Sequence, residues 1–299
     1  MPSQPAMIGR VRIAIVGFGL IGGSIARALR RPEAARIVPE GIELAAWSRR
    51  PAAPRSALAA GIIDSAPLDL VPTVAGADLI VIAAPPVASL ELLRELAGPL
   101  RARLAPTVVV TDVASTKRAI VEEADRLELR VVGGHPMAGR ESSGFDASVA
   151  DLFVDRPWVV CPGLAAEEAD VALVENLARW CGARPIRLEP AIHDAAAATI
   201  SHVPLIVASA LVEALADGPG WPLASTLAAS GWRDMTRLAR GDPAMGGGIA
   251  VTNAAEIAAG LRRVRTVLEA WIATLDGPDP ELEAIVDRLT EARRRLEPS

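Results

Sequence analysis

The sequence predicts an α/β domain built on a doubly wound parallel sheet, followed by an all-α domain. Short, continuously apolar runs alternate with helical patterns through the first half of the chain. A glycine-rich turn follows the first of those runs, and no convincing strand occurs after about Pro190. A strand buried on both faces reads as an unbroken apolar run, and strands separated by helical crossovers assemble in parallel.

VRIAIVG (11–17) is a buried strand ending in glycine, and a helical pattern runs from Ile21 to about Arg31. ELAAW (43–47), DLIVIAA (78–84), TVVVTD (107–112) and RVVGG (130–134) repeat the strand type, with helices such as SLELLRELAGPLRARL (89–104) between them. PWVVC (157–161) and ARPIRL (183–188) are two later strands flanking a helix over Glu167–Cys181. The linker LEPAIHD marks a change of character, after which helices are expected over 193–216, 222–240, 254–275 and 280–296. The expected division is therefore 1–189 and 190–299, with no internal repeat.

Composition excludes several classes. Hydrophobic residues make up 51% of the chain, ample for a core, and the net charge of -5 shows no basic excess of the kind a nucleic-acid partner requires. Cys161 and Cys181 have no metal-ligand spacing and read as reduced, structural cysteines of a cytoplasmic protein; no metal site is expected. The start, MPSQPAMIGR, lacks the apolar core of a signal peptide. Ala195–Val212 is apolar enough to resemble a membrane span, but His202 and Pro204 interrupt it and Asp194 and Glu213 bound it. We read it as a buried helix without a membrane partner. Being apolar all round, it also points to a subunit interface, so a homodimer is expected.

GFGLIGG places Gly17, Gly19 and Gly22 in the G-x-G-x-x-G spacing, after a strand and opening a helix. Gly17 permits the turn, Gly19 lets backbone approach a pyrophosphate, and Gly22 allows close helix–strand packing. Together with Leu20 and Ile21 at the helix start, they form an expected dinucleotide site, since free N–H groups there face the phosphates. A tight turn without a ligand is the bland alternative. The second strand ends in Ser48, Arg49 and Arg50, with no acid at its tip. A carboxylate there would accept from a ribose 2′-hydroxyl; a hydroxyl and two guanidinium groups instead suit a 2′-phosphate. The expected cofactor is NADP, with NAD use compatible, against the alternative that these arginines are solvated at a surface turn.

Ligands of this fold bind beyond the carboxyl ends of the strands, where the unusual residues cluster. AAPP (83–86), with Ala84 and Pro85, ends the third strand near the expected cofactor ribose. DVASTK (112–117) ends the fourth, and GGHPMAG (133–139) ends the fifth. His135 is one of three histidines in 299 residues, and small neighbours leave room beside its ring. A hydrogen-bonded core histidine is the alternative.

GFGLIGGS, DVASTK, GGHPMAGRESSG, HDAAAATISHVPLIVASAL and GWRDMTRLARGDP together resemble the prephenate/arogenate dehydrogenases of tyrosine biosynthesis, from about residue 11 to 270. The resemblance implies an NAD(P)-binding domain, a helical dimerisation domain, and oxidative decarboxylation of prephenate or arogenate to a phenol without a metal. It implies that His135 accepts the proton of the C4 hydroxyl and that Ser115 contacts that hydroxyl and the histidine. It implies that His202 lies on the active-site side and that Arg237 grips a substrate carboxylate, a task suited to its bidentate fork. Lys117 reads either as a loop anchor or as a surface charge. His193 and His202 are nine residues apart, opposite faces of a straight helix unless Pro204 bends it, and His193 reads as structural. Arg233, Arg237 and Arg240 share a helical spacing, and a solvated face is preferred for the first and last. AMGGGIAVTN (244–253) departs from many prephenate-type members and looks more arogenate-like, which weakens carry-over of contacts there, including Asn253.

Two other readings compete. Another hydride-transfer enzyme, of the β-hydroxyacid or pyrroline reductase type, should show a catalytic lysine or other motif in the helical domain, and none is apparent. A non-catalytic NADP-binding sensor has no use for His135, Ser115 and Arg237 together.

Overall fold

The computed structural model describes residues 11–34, 41–140, 142–276 and 281–296. The N-terminal stretch 1–10, where no signal peptide is expected, and Pro280, the expected start of the last helix, lie outside the described residues.

Four strands form a parallel sheet in the order β2 (Glu43–Trp47), β1 (Arg12–Val16), β3 (Leu79–Ile82), β4 (Val109–Asp112). Alternate residues of these strands enter different cores. Ile13 and Ile15 pack with Leu79 and Val81 on one face, and Ala14 and Val16 with Ile80 and Ile82 on the other. Both faces are therefore covered by helices, which is why the strands read as unbroken apolar runs. The helix Leu20–Leu29 follows β1 directly.

β5 (Val132–Pro136) continues the sheet beside β4 through a parallel bridge between Val110 and Val131. β6 (Pro157–Pro162) runs antiparallel to β5, and β7 (Arg184–Arg187) is parallel to β6. The α/β class holds, but the sheet is not parallel throughout. The reason lies in the connection. Parallel pairing needs a crossover, usually a helix, and only a short 3₁₀ turn, Phe145–Ala147, is formed between β5 and β6 among the described residues. The helix Glu168–Trp180, opened by a reciprocal Glu167–Asp170 capping box, supplies the crossover from β6 to β7.

The remainder is helical. Pro190–Ala197, a π-turn at Ala198–His202 and Val203–Ala216 form one continuous rod. Pro204 lacks an N–H, and the π-turn just before it absorbs the defect. One extra residue in a turn rotates the next part of the helix by about 100°, so His193 and His202 no longer oppose each other. This rod is long and apolar enough to cross a membrane, yet only 28% of its most apolar stretch is buried within the chain. The expected buried helix is therefore covered only in part by its own chain, and much of its apolar surface needs cover from elsewhere.

The expected helix over 222–240 is instead three pieces: Trp221–Leu227, Ser230–Met235 and a 3₁₀ turn at Arg237–Arg240. The face shared by Arg233, Arg237 and Arg240 is thereby lost. A helix with no sequence expectation spans Pro243–Thr252, with Asp242 capping the amides of Ala244 (2.8 Å) and Met245 (3.2 Å). Its three glycines had hidden it. Ala254–Leu275 and Leu282–Arg294 complete the fold.

Candidate active site

A cleft of 450 Å³ opens where the strand order reverses, between the ends of β1 and β3. It is lined by Gly17, Phe18 and Gly19, by Trp47, Ser48 and Arg49 at the end of β2, and by Ala83, Ala84 and Pro85 after β3. Gly17 has φ +98°, and a Cβ there would lie 2.2 Å from the Ala83 carbonyl oxygen. A Cβ on Gly22 would meet the Gly17 carbonyl oxygen at 2.3 Å, whereas Gly19 faces open space. The turn is thus forced at two glycines and open at the third. Leu20 and Ile21, half-buried, begin the helix, where amide N–H groups lack intrahelical acceptors. These residues fit a dinucleotide pyrophosphate. Arg50 is exposed just beyond the cleft and is not among its lining residues.

Beyond β4 and β5 the chain builds a polar cluster under apolar cover. Lys117 and Asp112 form a fully buried ion pair, and the Lys117 ammonium also donates to the Gly134 carbonyl at 2.6 Å. Lys117 is therefore an internal anchor and not a surface charge. Asp112 also accepts from the Gly134 amide at 3.2 Å. A Cβ on Gly134 would come within 2.5 Å of the Asp112 carbonyl oxygen, so the paired glycines before His135 serve the close approach of two strands.

All three histidines meet here. His135, half-buried at the end of β5, lies 2.8 Å from His193 through Nδ1 and Nε2 respectively, with their rings edge to face. His193 Nδ1 in turn lies 2.7 Å from Asp194 Oδ1. The same carboxylate accepts from the backbone amides of Lys117 (2.7 Å) and Arg118 (3.0 Å). His193, read from sequence as structural, is thus in direct contact with His135. His202 is buried, and Asn253 bridges it to the Asp194 carbonyl, with Nδ2 2.9 Å from that oxygen and 3.1 Å from His202 Nδ1. Ser115 is half-buried on the loop after β4, with its backbone beside His202.

Electrostatics favour a neutral His135. Burial, then the nearby charges of His193, Lys117 and His202, hold its pKa well below the usual histidine value. Burial likewise lowers His202, against a smaller upward pull from Asp194 and the Ser115 backbone. Burial pushes against ionisation of Asp194, but the bonds from His193 and the two amides outweigh it and keep the carboxylate charged. Cys161 and Cys181 are pushed up to about 12 by burial and are inert thiols.

Arg237, on the 3₁₀ turn, lines an 890 Å³ cavity with Gly139, Arg140 and Ser142 of the loop that follows His135. Arg240, an exposed residue, lines it too; Arg233 does not. Sequence reading did not single out Arg140, which carries no local pattern, and for Arg240 it preferred a solvated face. It missed Asp194 as well, although an adjacent His-Asp pair opening an alanine-rich apolar helix was a usable signal.

Two family models cover the chain: prephenate dehydrogenase, nucleotide-binding domain, over residues 25–187, and prephenate dehydrogenase, dimerization domain, over residues 189–288. The chain belongs to the prephenate dehydrogenase family. The prephenate dehydrogenase of Bacillus subtilis is 35% identical over 237 residues, 78% of this chain and 62% of the relative, so the chain spans less than two thirds of that protein's length. The arogenate dehydrogenase of Synechocystis is 33% identical, with a TM-score of 0.76 over 96% of this chain and 100% of that one. The prephenate dehydrogenase of Aquifex aeolicus, solved with hydroxyphenyl propionate and NAD+, shares the fold at a TM-score of 0.82 and 24% identity, over 97% and 99% of the two chains.

Proposed function

We propose that this chain oxidatively decarboxylates prephenate or arogenate to the corresponding phenol in tyrosine biosynthesis. The observation that carries it is the placement of His135: its ring is held through Nδ1 on His193, with Nε2 making no hydrogen bond among the described residues. When bound, the nicotinamide dinucleotide supplies the hydride acceptor. His135 Nε2 takes the proton of the substrate's C4 hydroxyl as the C4–H bond breaks. Loss of the C1 carboxylate as CO₂ then aromatises the ring, and the proton returns to the phenolic oxygen. Ser115, beside His202, steadies the hydroxyl. Arg237 holds a substrate carboxylate, with Arg140 and Arg240 adding positive charge to the same cavity. Membership of the family supports these roles.

NADP is the preferred cofactor on this reading, because Ser48 and Arg49 line the cleft where an acid would favour the ribose diol. The working assembly is a homodimer through the helical domain, which the exposed apolar side of Pro190–Ala216 and the family's dimerization domain both support.

The test monitors NAD(P) reduction with prephenate and with arogenate, for wild type and His135→Asn. Turnover of at least one substrate is expected. The variant should lose about 10²–10⁴ in rate, the usual worth of a positioned base, while retaining cofactor affinity. Cofactor binding without turnover of either substrate would favour a sensor instead.

A further inference from the structure

We infer that Asp194 sets the proton positions on all three histidines, through its carboxylate for His193 and His135 and through its backbone carbonyl for His202. The inference deepens the reading of His135 as a base and rests on it for its catalytic meaning.

Hydrogen-bond logic supplies the argument. A carboxylate that already accepts two backbone amides is an ionised acceptor, so His193 Nδ1 must donate to it. Neutral His193 then has a bare Nε2, which can only accept. His135 Nδ1 lies 2.8 Å away and must be the donor, which leaves the His135 lone pair on Nε2. Asp194 is thus two hydrogen bonds removed from the basic nitrogen and yet decides which nitrogen is basic. The carboxylate also lies where it can compensate the positive charge that His135 gains on taking a proton. The same arrangement of acid, ring and acting group recurs wherever a histidine must be held in one tautomer. Here a second ring stands between the acid and the acting histidine.

The second arm has the opposite outcome. A carbonyl oxygen cannot donate, so the Asn253 atom 2.9 Å from the Asp194 carbonyl is its NH₂. That NH₂ directs its other hydrogen to His202 Nδ1, which is therefore an acceptor. Neutral His202 carries its hydrogen on Nε2, a buried atom for which no acceptor meets hydrogen-bond geometry among the described residues. One residue therefore presents a lone pair at His135 and an N–H at His202. The other charged groups facing the cluster are Lys117, neutralised by Asp112, and Arg118, paired with Glu256. None of these contacts offers a competing proton position to the rings. His193, Asp194 and Asn253 are positioning residues: they act through the two rings.

Three histidines in the chain make the test direct. Two-dimensional ¹H–¹⁵N spectra of the full chain, labelled at histidine, report which ring nitrogens carry hydrogen. The expected pattern is Nδ1–H for His135, Nδ1–H for His193 and Nε2–H for His202. His193→Phe keeps a ring but removes the acceptor, so His135 should lose its single tautomer while His202 keeps its own. Asn253→Ala should do the reverse. Turnover of His193→Phe should fall about 10²-fold or more with cofactor affinity near wild type. Nε2–H on His135 in the wild type would overturn the inference, as would either variant disturbing both arms alike or His193→Phe turning over like wild type. Failure of the base reading shows differently: the three tautomers appear as expected, but His135→Asn keeps its turnover.

Discussion

The Lys117 ammonium lies fully buried between the carboxylate of Asp112 and the carbonyl of Gly134, the residue before His135. The pair ties the end of β4 to the end of β5. Removing one partner of a buried pair strands the other charge, which costs about 3–5 kcal/mol. Lys117→Met should therefore destabilise the chain by an amount of that order, read from urea unfolding midpoints. A midpoint close to wild type would show that the pair does not hold the strands together.

The depressed pKa of His135 has a signed consequence for activity. The base form is the neutral ring, and burial above all keeps that form populated below the ordinary value of 6.5. Activity should therefore stay level from neutral pH down past 6.5 and fall only under more acidic conditions. The profile of log(kcat/KM) against pH gives the position of that limb. A limb centred at or above 6.5 would mean that the ring is not desolvated as its surroundings imply.

The first domain was largely legible because its signals are local. A strand buried on both faces needs an apolar run such as Ile13–Val16, and a glycine turn needs glycines at fixed spacing. The antiparallel return of β6 was not legible, since no residue announces a missing crossover helix. The site was half legible. His135 stood out as a titratable group among small residues, but its partner His193 was set aside by helical geometry that assumed a regular turn. The π-turn at Ala198–His202 undid that assumption, and only the defect imposed by Pro204 hinted at it. Asp194 and Asn253 act through pairings 59 residues apart in the chain, which no local pattern records.

Arg237 and Arg240 line the same cavity, and their substitution should separate their roles. A lost charge-assisted bond to a carboxylate is worth about 1.5–3 kcal/mol, or roughly 10–150-fold in affinity. Arg237→Ala should raise substrate KM within that range and leave cofactor affinity little changed. Arg240→Ala should raise it less. Unchanged KM in Arg237→Ala would remove it from carboxylate binding.

Much of the apolar rod Pro190–Ala216 is uncovered, and Leu223, Leu227 and Val251 of the same domain are each more than two thirds exposed. Apolar surface of this extent marks an interface. Light scattering at micromolar concentration should give twice the chain mass, and a monomer there would contradict the proposed homodimer.

The cofactor prediction turns on Arg49. Both arginines after β2 looked equivalent in sequence, but Arg49 lines the cleft with Ser48, and Arg50 does not. Glu91 and Glu95 line the cleft as well, so a 2′-phosphate there needs a cation close by to offset them. Arg49 is placed to be that cation. Losing its charge-assisted contact should lower kcat/KM for NADP by about 10–150-fold, from about 1.5–3 kcal/mol, and leave NAD almost unaffected, because the ribose diol makes no such contact. Arg50→Ala should change the NADP to NAD ratio much less. The measurement is kcat/KM with each cofactor for wild type and both variants. A wild type that prefers NAD, or an Arg49→Ala ratio equal to wild type, would return both arginines to the solvated turn ahead of Pro51.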